Sequence, residues 1–354
     1  MDKIRLKKDK ELFDKELSFF NKKLNEILID YSQIFLLVDE NTFNYCYPLL
    51  KIDRAYEIIL IESGEENKTL ESCQFIWNRL LESNADRESL LINLGGGVIT
   101  DMGGFAASTY KRGIDFINIP TTLLSLIDAT IGGKTAIDFL GQKNMIGLFV
   151  EPKEVLVNRY FLNTLSTREI KNGFAEVLKH GLILDKEYLY FSLQEIKKDF
   201  KEIDWNKIIE KSMELKTKIV RNDFKETGIR KILNFGHTLG HTLETYSLKH
   251  HKNYLKHGEA VILGMIFALR LSIIKFNIDK KEVDSIIEEF KTIYDFSFLT
   301  KFNLKEVLNL IDNDKKSSYN KILFILLKDI GDATFNNEIS KEEIELLLKD
   351  IILF

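Results

Sequence analysis

The sequence is poor in the residues that would tie it to an oxidising compartment, a membrane or a nucleic acid. Two cysteines occur in 354 residues, Cys46 and Cys73. That is too few for a disulfide scaffold or a thiolate zinc cluster, so a reducing compartment is the expectation. The longest apolar run, Ala260 to Leu269, falls well short of the ~20 residues that cross a bilayer. The opening MDKIRLKKDKELFDKEL carries charge but no apolar stretch, which argues against a secretory signal. A basic excess is also missing: 50 Lys and Arg stand against 54 Asp and Glu, for a formal charge of −4. Nucleic acid is disfavoured as a partner on that ground. Prolines number three; together with the wealth of Lys, Ile, Asn and Phe this reads as genome composition and carries no function. With 45% hydrophobic and 29% charged residues, the expectation is a soluble cytoplasmic protein, long enough for two domains.

What is present changes character along the chain. In the first half, Ile34 to Val38, Ile58 to Ile61, Leu90 to Leu94 and Phe116 to Ile119 are short apolar runs, each closed by a turn or polar signal. Continuous apolar strands separated by helical stretches imply a parallel sheet covered on both faces. From Thr167 onward a helical period dominates, with helices expected over 168–183, 205–222, 237–247, 258–276 and 341–350, and one strand-like run at Ile322 to Leu327. The expected fold class is an α/β N-terminal domain, Rossmann-like and of the kind that binds nucleotides, over 1–165, followed by an all-α domain over 166–354.

Ligands of such sheets gather at the carboxyl ends of the strands, and unusual residues gather there in this chain. Leu90 to Leu94 runs into Gly95-Gly96-Gly97 and a helix. Glycines let a backbone approach a phosphate, and a helix N-terminus offers N–H groups to an anion. The turn departs from the dinucleotide fingerprint, with Thr100 where a third glycine would stand; alone, it is equally a tight turn with no ligand. Asp101 in the first helical turn, Thr121 and Thr122 after the next strand, Asp39 after the first and Glu65 to Lys68 after the second add polar groups beyond what turns need. A second stretch, Asp128 to Lys134, runs on to Gln142-Lys143-Asn144, and Lys134 and Lys143 are suited to a phosphate as point charges.

Six histidines occur. His237 and His241, at i and i+4, share a helical face. His257 opens the next helix, and Glu176 with Lys179 lies on an earlier one. A catalytic zinc takes three N or O ligands and keeps an open position. Glu176, His237 and His257 answer that, with His241 left to act on substrate. Thr238 follows the first histidine where zinc proteases carry a glutamate, which disfavours a protease. Two satisfied core histidines are the plainer alternative.

The segments GGGVITDMGGF, IPTTLLSLIDATIGGKTAID, QKNMIGLF, GFAEVLKHG, RKILNFGHTLGHTLE and HGEAV, in that order, resemble the 3-dehydroquinate synthases of the sugar-phosphate cyclase family from Asp39 to Gly331. The resemblance implies NAD, a divalent metal (zinc, or cobalt), a homodimer, and 3-deoxy-D-arabino-heptulosonate 7-phosphate as substrate. It assigns NAD to Asp39, Glu65, Lys68, Gly96, Gly97, Asp101, Thr121 and Thr122, and the metal to Glu176, His237 and His257. Arg112, Lys134, Asn144, Asn234 and His241 would face substrate and phosphate. Asp128, Lys143 and Lys179 would lie near the reacting carbons, Lys216 and Arg230 at the substrate carboxylate. Asp314-Lys315-Lys316 matches the family's Asp-Lys-Lys, whose lysines would reach phosphate. Thr100 for a commoner glycine, Asn158 for a commoner aspartate and a longer loop before His257 are the departures. Other cyclases, acting on sugar phosphates without a carboxylate, and metal-dependent polyol or glycerol-phosphate dehydrogenases are the alternative activities.

Overall fold

The structure, a computed structural model, describes residues 10–296, 302–314 and 321–352. It divides into two compact units: Met1–Ile170 with Trp205–Met213, and Lys171–Asp204 with Glu214–Phe354.

In the first unit, α1 (Lys10–Leu28), β1 (Ile34–Asp39), α2 (Glu40–Tyr45), β2 (Glu57–Ile61), α3 (Leu70–Glu82), β3 (Leu90–Gly95), α4 (Gly97–Thr109) and β4 (Asp115–Pro120) follow one another. After them come β5 (Lys134–Phe139), β6 (Gln142–Phe149) and β7 (Glu154–Val155). The five-stranded sheet has the order β2-β1-β3-β4-β7, and its strands pair in parallel. All four apolar runs noted in the sequence are strands of this sheet. Alternate residues of β1 and β3 feed opposite faces. Phe35, Leu37 and Leu91 pack with Cys73, Ile76 and Met102 of α3 and α4, while Leu36, Leu90 and Ile92 pack with Leu24 and Leu28 of α1. Burial on both faces is why these strands read as unbroken apolar runs.

The antiparallel β5–β6 hairpin was not anticipated from the sequence. Most of β6 is exposed, so it carries no buried-strand signature, and its pairing shifts register between Ile137 and Phe139.

The second unit contains most of α5 (Thr167–Leu184), then α6 (Lys186–Glu195), the latter part of α7 (Trp205–Asn222), α8 (His237–His250) and α9 (His257–Phe276). It continues with α10 (Lys280–Ile293), α11 (Leu304–Asp314), β8 (Lys321–Asp329), β9 (Asp332–Ser340) and α12 (Lys341–Ile352). The helical part is not purely α: β8 and β9 form an antiparallel hairpin, and Leu327 N donates to Ser272 Oγ of α9 at 2.9 Å. The expected run Ile322 to Leu327 is β8. Its partner β9, DATFNNEIS, is largely polar and partly exposed and so gives no apolar run. Helix α9 is buried on almost every side, which explains its weak amphipathic pattern. Among the described residues no helix is long and apolar enough to cross a membrane.

The crossing of α8 and α9 is set by glycine. A Cβ on Gly264 would lie 1.8 Å from Gly236 O, and one on Gly240 would lie 3.1 Å from Ala260 O. Gly236 itself takes φ +80 immediately before α8, a left-handed conformation that suits glycine. At the head of α9, Gly258 N donates to Asn172 Oδ1 of α5 at 2.7 Å, and a Cβ there would lie 2.0 Å from Asn172 O. Backbones therefore touch where α5, α8 and α9 meet. Gly264→Ala is expected to cost about 1–3 kcal/mol of unfolding free energy, the usual range for overpacking, and so to lower the urea midpoint. In an open helix the same change would raise stability by about 1 kcal/mol, so an unchanged or raised midpoint contradicts the close crossing.

Candidate functional site

Those backbone contacts put three elements' side chains into one small space. Glu176 of α5 is fully buried, and its Oε1 lies 3.7 Å from His237 Nε2 of α8 and 3.7 Å from His257 Nε2 of α9. His241 joins them one turn along α8. The three imidazoles offer nitrogens all within 4.8 Å of one another, with ring centroids 5.0 to 5.6 Å apart. Nitrogen and oxygen ligands about 2.0–2.2 Å from a tetrahedral zinc stand about 3.3–3.5 Å from each other. Donor separations of 3.7 Å are therefore close to what a shared ion requires, and the donor set fits zinc or cobalt.

The ring orientations agree. His237 Nδ1 meets Phe235 O at 3.2 Å, and a carbonyl only accepts, so Nδ1 carries the proton and Nε2 presents its lone pair. On the other side of Glu176, Lys179 Nζ pairs with Oε2, and Lys179 too is buried.

Proton affinities reveal how the site treats positive charge. Burial, reinforced by the nearby Lys179 cation, holds His237 well below the usual imidazole value. His257 moves the other way, to about 9, because hydrogen bonds to Glu176 and Glu244 outweigh a burial that would lower it. Neighbouring imidazoles thus differ, and the carboxylates draw one positive charge into the cluster.

Further along the same unit, Arg230 and Lys216 are buried. Asp223 Oδ2 accepts from Arg230 N at 3.0 Å and from Gly228 N at 2.7 Å, shaping the turn that carries Arg230, whose Nη1 donates to Phe224 O. Asn234 Nδ2 donates to Glu226 Oε1. Lys315 and Lys316 lie outside the described residues.

The first unit gathers most of the residues expected to hold nucleotide. Lys68, itself buried, donates from Nζ to Asp101 Oδ2 at 2.7 Å and to Asn144 Oδ1 at 2.6 Å. Burial would lower its proton affinity, but the charges of Asp101 and Glu65 outweigh that and raise it, so Lys68 remains a cation. Lys143 Nζ stands 3.4 Å from Glu65 Oε1. At the strand ends, Thr121 N donates to Gly95 O at 3.0 Å, and Thr122 packs against Gly96, the N-cap of α4. Asp39 caps α2 by accepting from Thr42 N at 2.7 Å. Asp128 lies in the short π-helix Ser125–Ala129, while Lys134 and Arg112 are exposed, Arg112 with φ 73.

Three acidic residues escaped the sequence reading. Asp138 Oδ1 accepts from Asn144 N at 2.8 Å and so supports Lys68's partner; no motif pointed to it, because the β5–β6 hairpin was unseen. Glu226, eight residues before Asn234, sits in a loop with φ 58 and gave no periodic signal. Glu244 ends the HTLGHTLE run and lies seven residues beyond His237, a spacing that returns to the same helical face. That signal was available.

With this geometry the comparisons with known proteins agree. The 3-dehydroquinate synthase N-terminal family matches residues 58–172 and the 3-dehydroquinate synthase C-terminal family residues 173–317. A 3-dehydroquinate synthase of Parabacteroides distasonis is 41% identical over 320 residues, covering 89% of this chain and 90% of the relative. One of Clostridium tetani is 40% identical over 344 residues, covering 93% and 90%. Among solved structures, a 2-deoxy-scyllo-inosose synthase complexed with carbaglucose-6-phosphate, NAD+ and Co2+ superimposes with a TM-score of 0.80 at 22% identity, covering 96% and 95%. The 2-epi-5-epi-valiolone synthase ValA of Streptomyces hygroscopicus subsp. jinggangensis, with NAD+ and Zn2+ bound, gives 0.77 at 24%, covering 90% of each chain. At these identities the two structures speak for the fold. The matches to both halves and the identity to curated relatives over nine-tenths of the length go further, and the chain belongs to the 3-dehydroquinate synthase family.

Proposed function

We propose that the protein is a 3-dehydroquinate synthase, converting 3-deoxy-D-arabino-heptulosonate 7-phosphate to 3-dehydroquinate and inorganic phosphate. The observation that carries the reading is Glu176 lying 3.7 Å from the Nε2 atoms of both His237 and His257, in a chain of this family. When bound, NAD would take and return a hydride and a divalent cation would polarise the transient ketone, so that the net change is loss of phosphate with ring closure.

The chain's own residues supply holding and charge. Glu176, His237 and His257 bind the cation, and Lys179, paired with the other carboxylate oxygen, holds Glu176 turned towards the imidazoles. His241, exposed beside them, is left to exchange a proton with substrate. The N-terminus of α4 with Gly96 and Gly97 receives pyrophosphate, and Asp39, Glu65, Lys68, Asp101, Thr121 and Thr122 hold the rest of the nucleotide. Arg112, Lys134, Asn144 and Asn234, with Lys315 and Lys316, form the substrate and phosphate set; Asp128, Lys143 and Lys179 serve the reacting carbons. No strong protein base is needed at elimination, because the departing phosphate is itself basic; orientation and positive charge are what the protein must provide. We also propose a division of labour near residue 165, a cytoplasmic setting and a homodimer, the last to be checked by light scattering.

Arg230 and Lys216, both buried in the second unit, favour a substrate with a carboxylate over the sugar phosphates of other cyclases, which lack one. Arg230→Lys should keep the charge but lose the planar fork. Arg230→Ala, which removes a charged hydrogen bond of about 1.5–3 kcal/mol, should raise KM for the heptulosonate roughly 10- to 100-fold. Unchanged KM in both variants would point to another cyclase.

Given the heptulosonate phosphate and catalytic NAD, the protein should release phosphate and 3-dehydroquinate in equal amounts with no net NADH. Accumulating NADH would identify a dehydrogenase instead. Exhaustive chelation should abolish turnover, and added Zn2+ or Co2+ should restore it; full activity after verified metal removal contradicts the metal reading.

A further inference from the structure

The two imidazoles that flank Glu176 are held by different partners. His237 Nδ1 meets a peptide carbonyl, Phe235 O, at 3.2 Å. His257 Nδ1 meets a carboxylate, Glu244 Oε2, at 3.3 Å, and Glu244 is 5% exposed. Burying a second carboxylate close to Glu176 costs free energy unless it is compensated. Glu244 lies seven residues after His237 on α8, so one helical stripe carries the proposed ligand His237, the imidazole of His241 and a carboxylate in succession. Gly240 and Gly264, by letting α8 and α9 touch, bring that stripe against the head of α9.

We propose that Glu244 is a positioning residue for the metal centre: its carboxylate fixes His257 in the Nδ1–H tautomer and turns Nε2 toward Glu176 and His237. The inference rests on the metal site proposed above. A histidine that donates to a carboxylate is both oriented and made a more basic ligand, and loss of such a partner typically weakens metal affinity about 10- to 100-fold. His257 needs the support more than His237 does. Both histidines open their helices, but His237 follows the helical turn Ile229–Asn234 and the closely packed Gly236, whereas His257 follows the irregular segment 251–256, so less of its backbone is fixed in advance.

The test is Co2+ affinity of the otherwise intact protein, by competition with a chromophoric chelator, together with the visible Co2+ spectrum. Glu244→Gln keeps shape and an acceptor oxygen but not the charge; Glu244→Ala removes both. The expected order of affinity is wild type, then Gln, then Ala, with Ala about 10- to 100-fold weaker, a shifted Co2+ spectrum and NAD affinity unchanged. A purely structural role for Glu244 would leave the spectrum of bound cobalt as it was. Should the Ala variant fail to fold, the isosteric Gln variant decides. His257→Ala serves as reference: if it weakens Co2+ binding while both Glu244 variants match wild type, the positioning role is wrong and the metal site stands. If His257→Ala also binds like wild type, the metal site itself is wrong and the role of Glu244 falls with it.

Discussion

A fully buried carboxylate is the constraint around which the second unit is organised. Glu176 has no exposed surface, and an ionised carboxylate in such a place is costly unless positive charge and hydrogen bonds meet it. Lys179, one turn along α5, meets it from one side, and the imidazoles of His237 and His257 from the other. Bringing imidazoles from two further helices to one carboxylate requires α5, α8 and α9 to pack closer than side chains normally allow. The glycines at 236, 240, 258 and 264 provide that approach. The packing thus follows from an electrostatic demand, and the same demand makes the site attractive to a cation.

The first unit answers a comparable problem differently. There the buried charge is Lys68, and its compensation comes from Asp101 at the start of α4, Asn144 on the hairpin and, at longer range, Glu65. These groups stand far apart in sequence, and the sheet and hairpin gather them. On the proposed reading, a nucleotide would meet a cluster already ordered by its own ion pairs, so the groups that bind it need little rearrangement before they do so.

Much of this was legible because the physics repeats along the chain. The parallel strands showed themselves as apolar runs, since both faces of the sheet are covered. Helices such as α7 and α10 showed a clean period because one face of each is buried. Where burial is one-sided or slight, the signal faded: β6 is exposed, and β9 spends its length on Thr334, Asn337 and Glu338. The His237–His241 stripe is legible as an i, i+4 spacing, and Glu244 continues it at i+7. Proximity between distant segments, as between Asp138 and Asn144, has no local signature at all. The family resemblance supplied what spacing cannot, namely which of several lysines and carboxylates belong together.

Four donors surround the candidate metal position, and three suffice for a catalytic ion that must keep a place open. The proposed set, Glu176, His237 and His257, has physical arguments in its favour. Each of these has its second polar atom engaged: Glu176 with Lys179, His237 with a carbonyl, His257 with Glu244. Their orientation is thereby fixed before any ion arrives, and the entropy of binding is correspondingly less unfavourable. His241 is exposed, and exposure is a disadvantage in a ligand but an advantage in a group that must lose and regain a proton. Using Glu176 in place of His241 also sets an anion against the cation, which neutral imidazole cannot do. On this argument the fourth donor is left at the edge of the cluster, where it can act on substrate without loosening the ion.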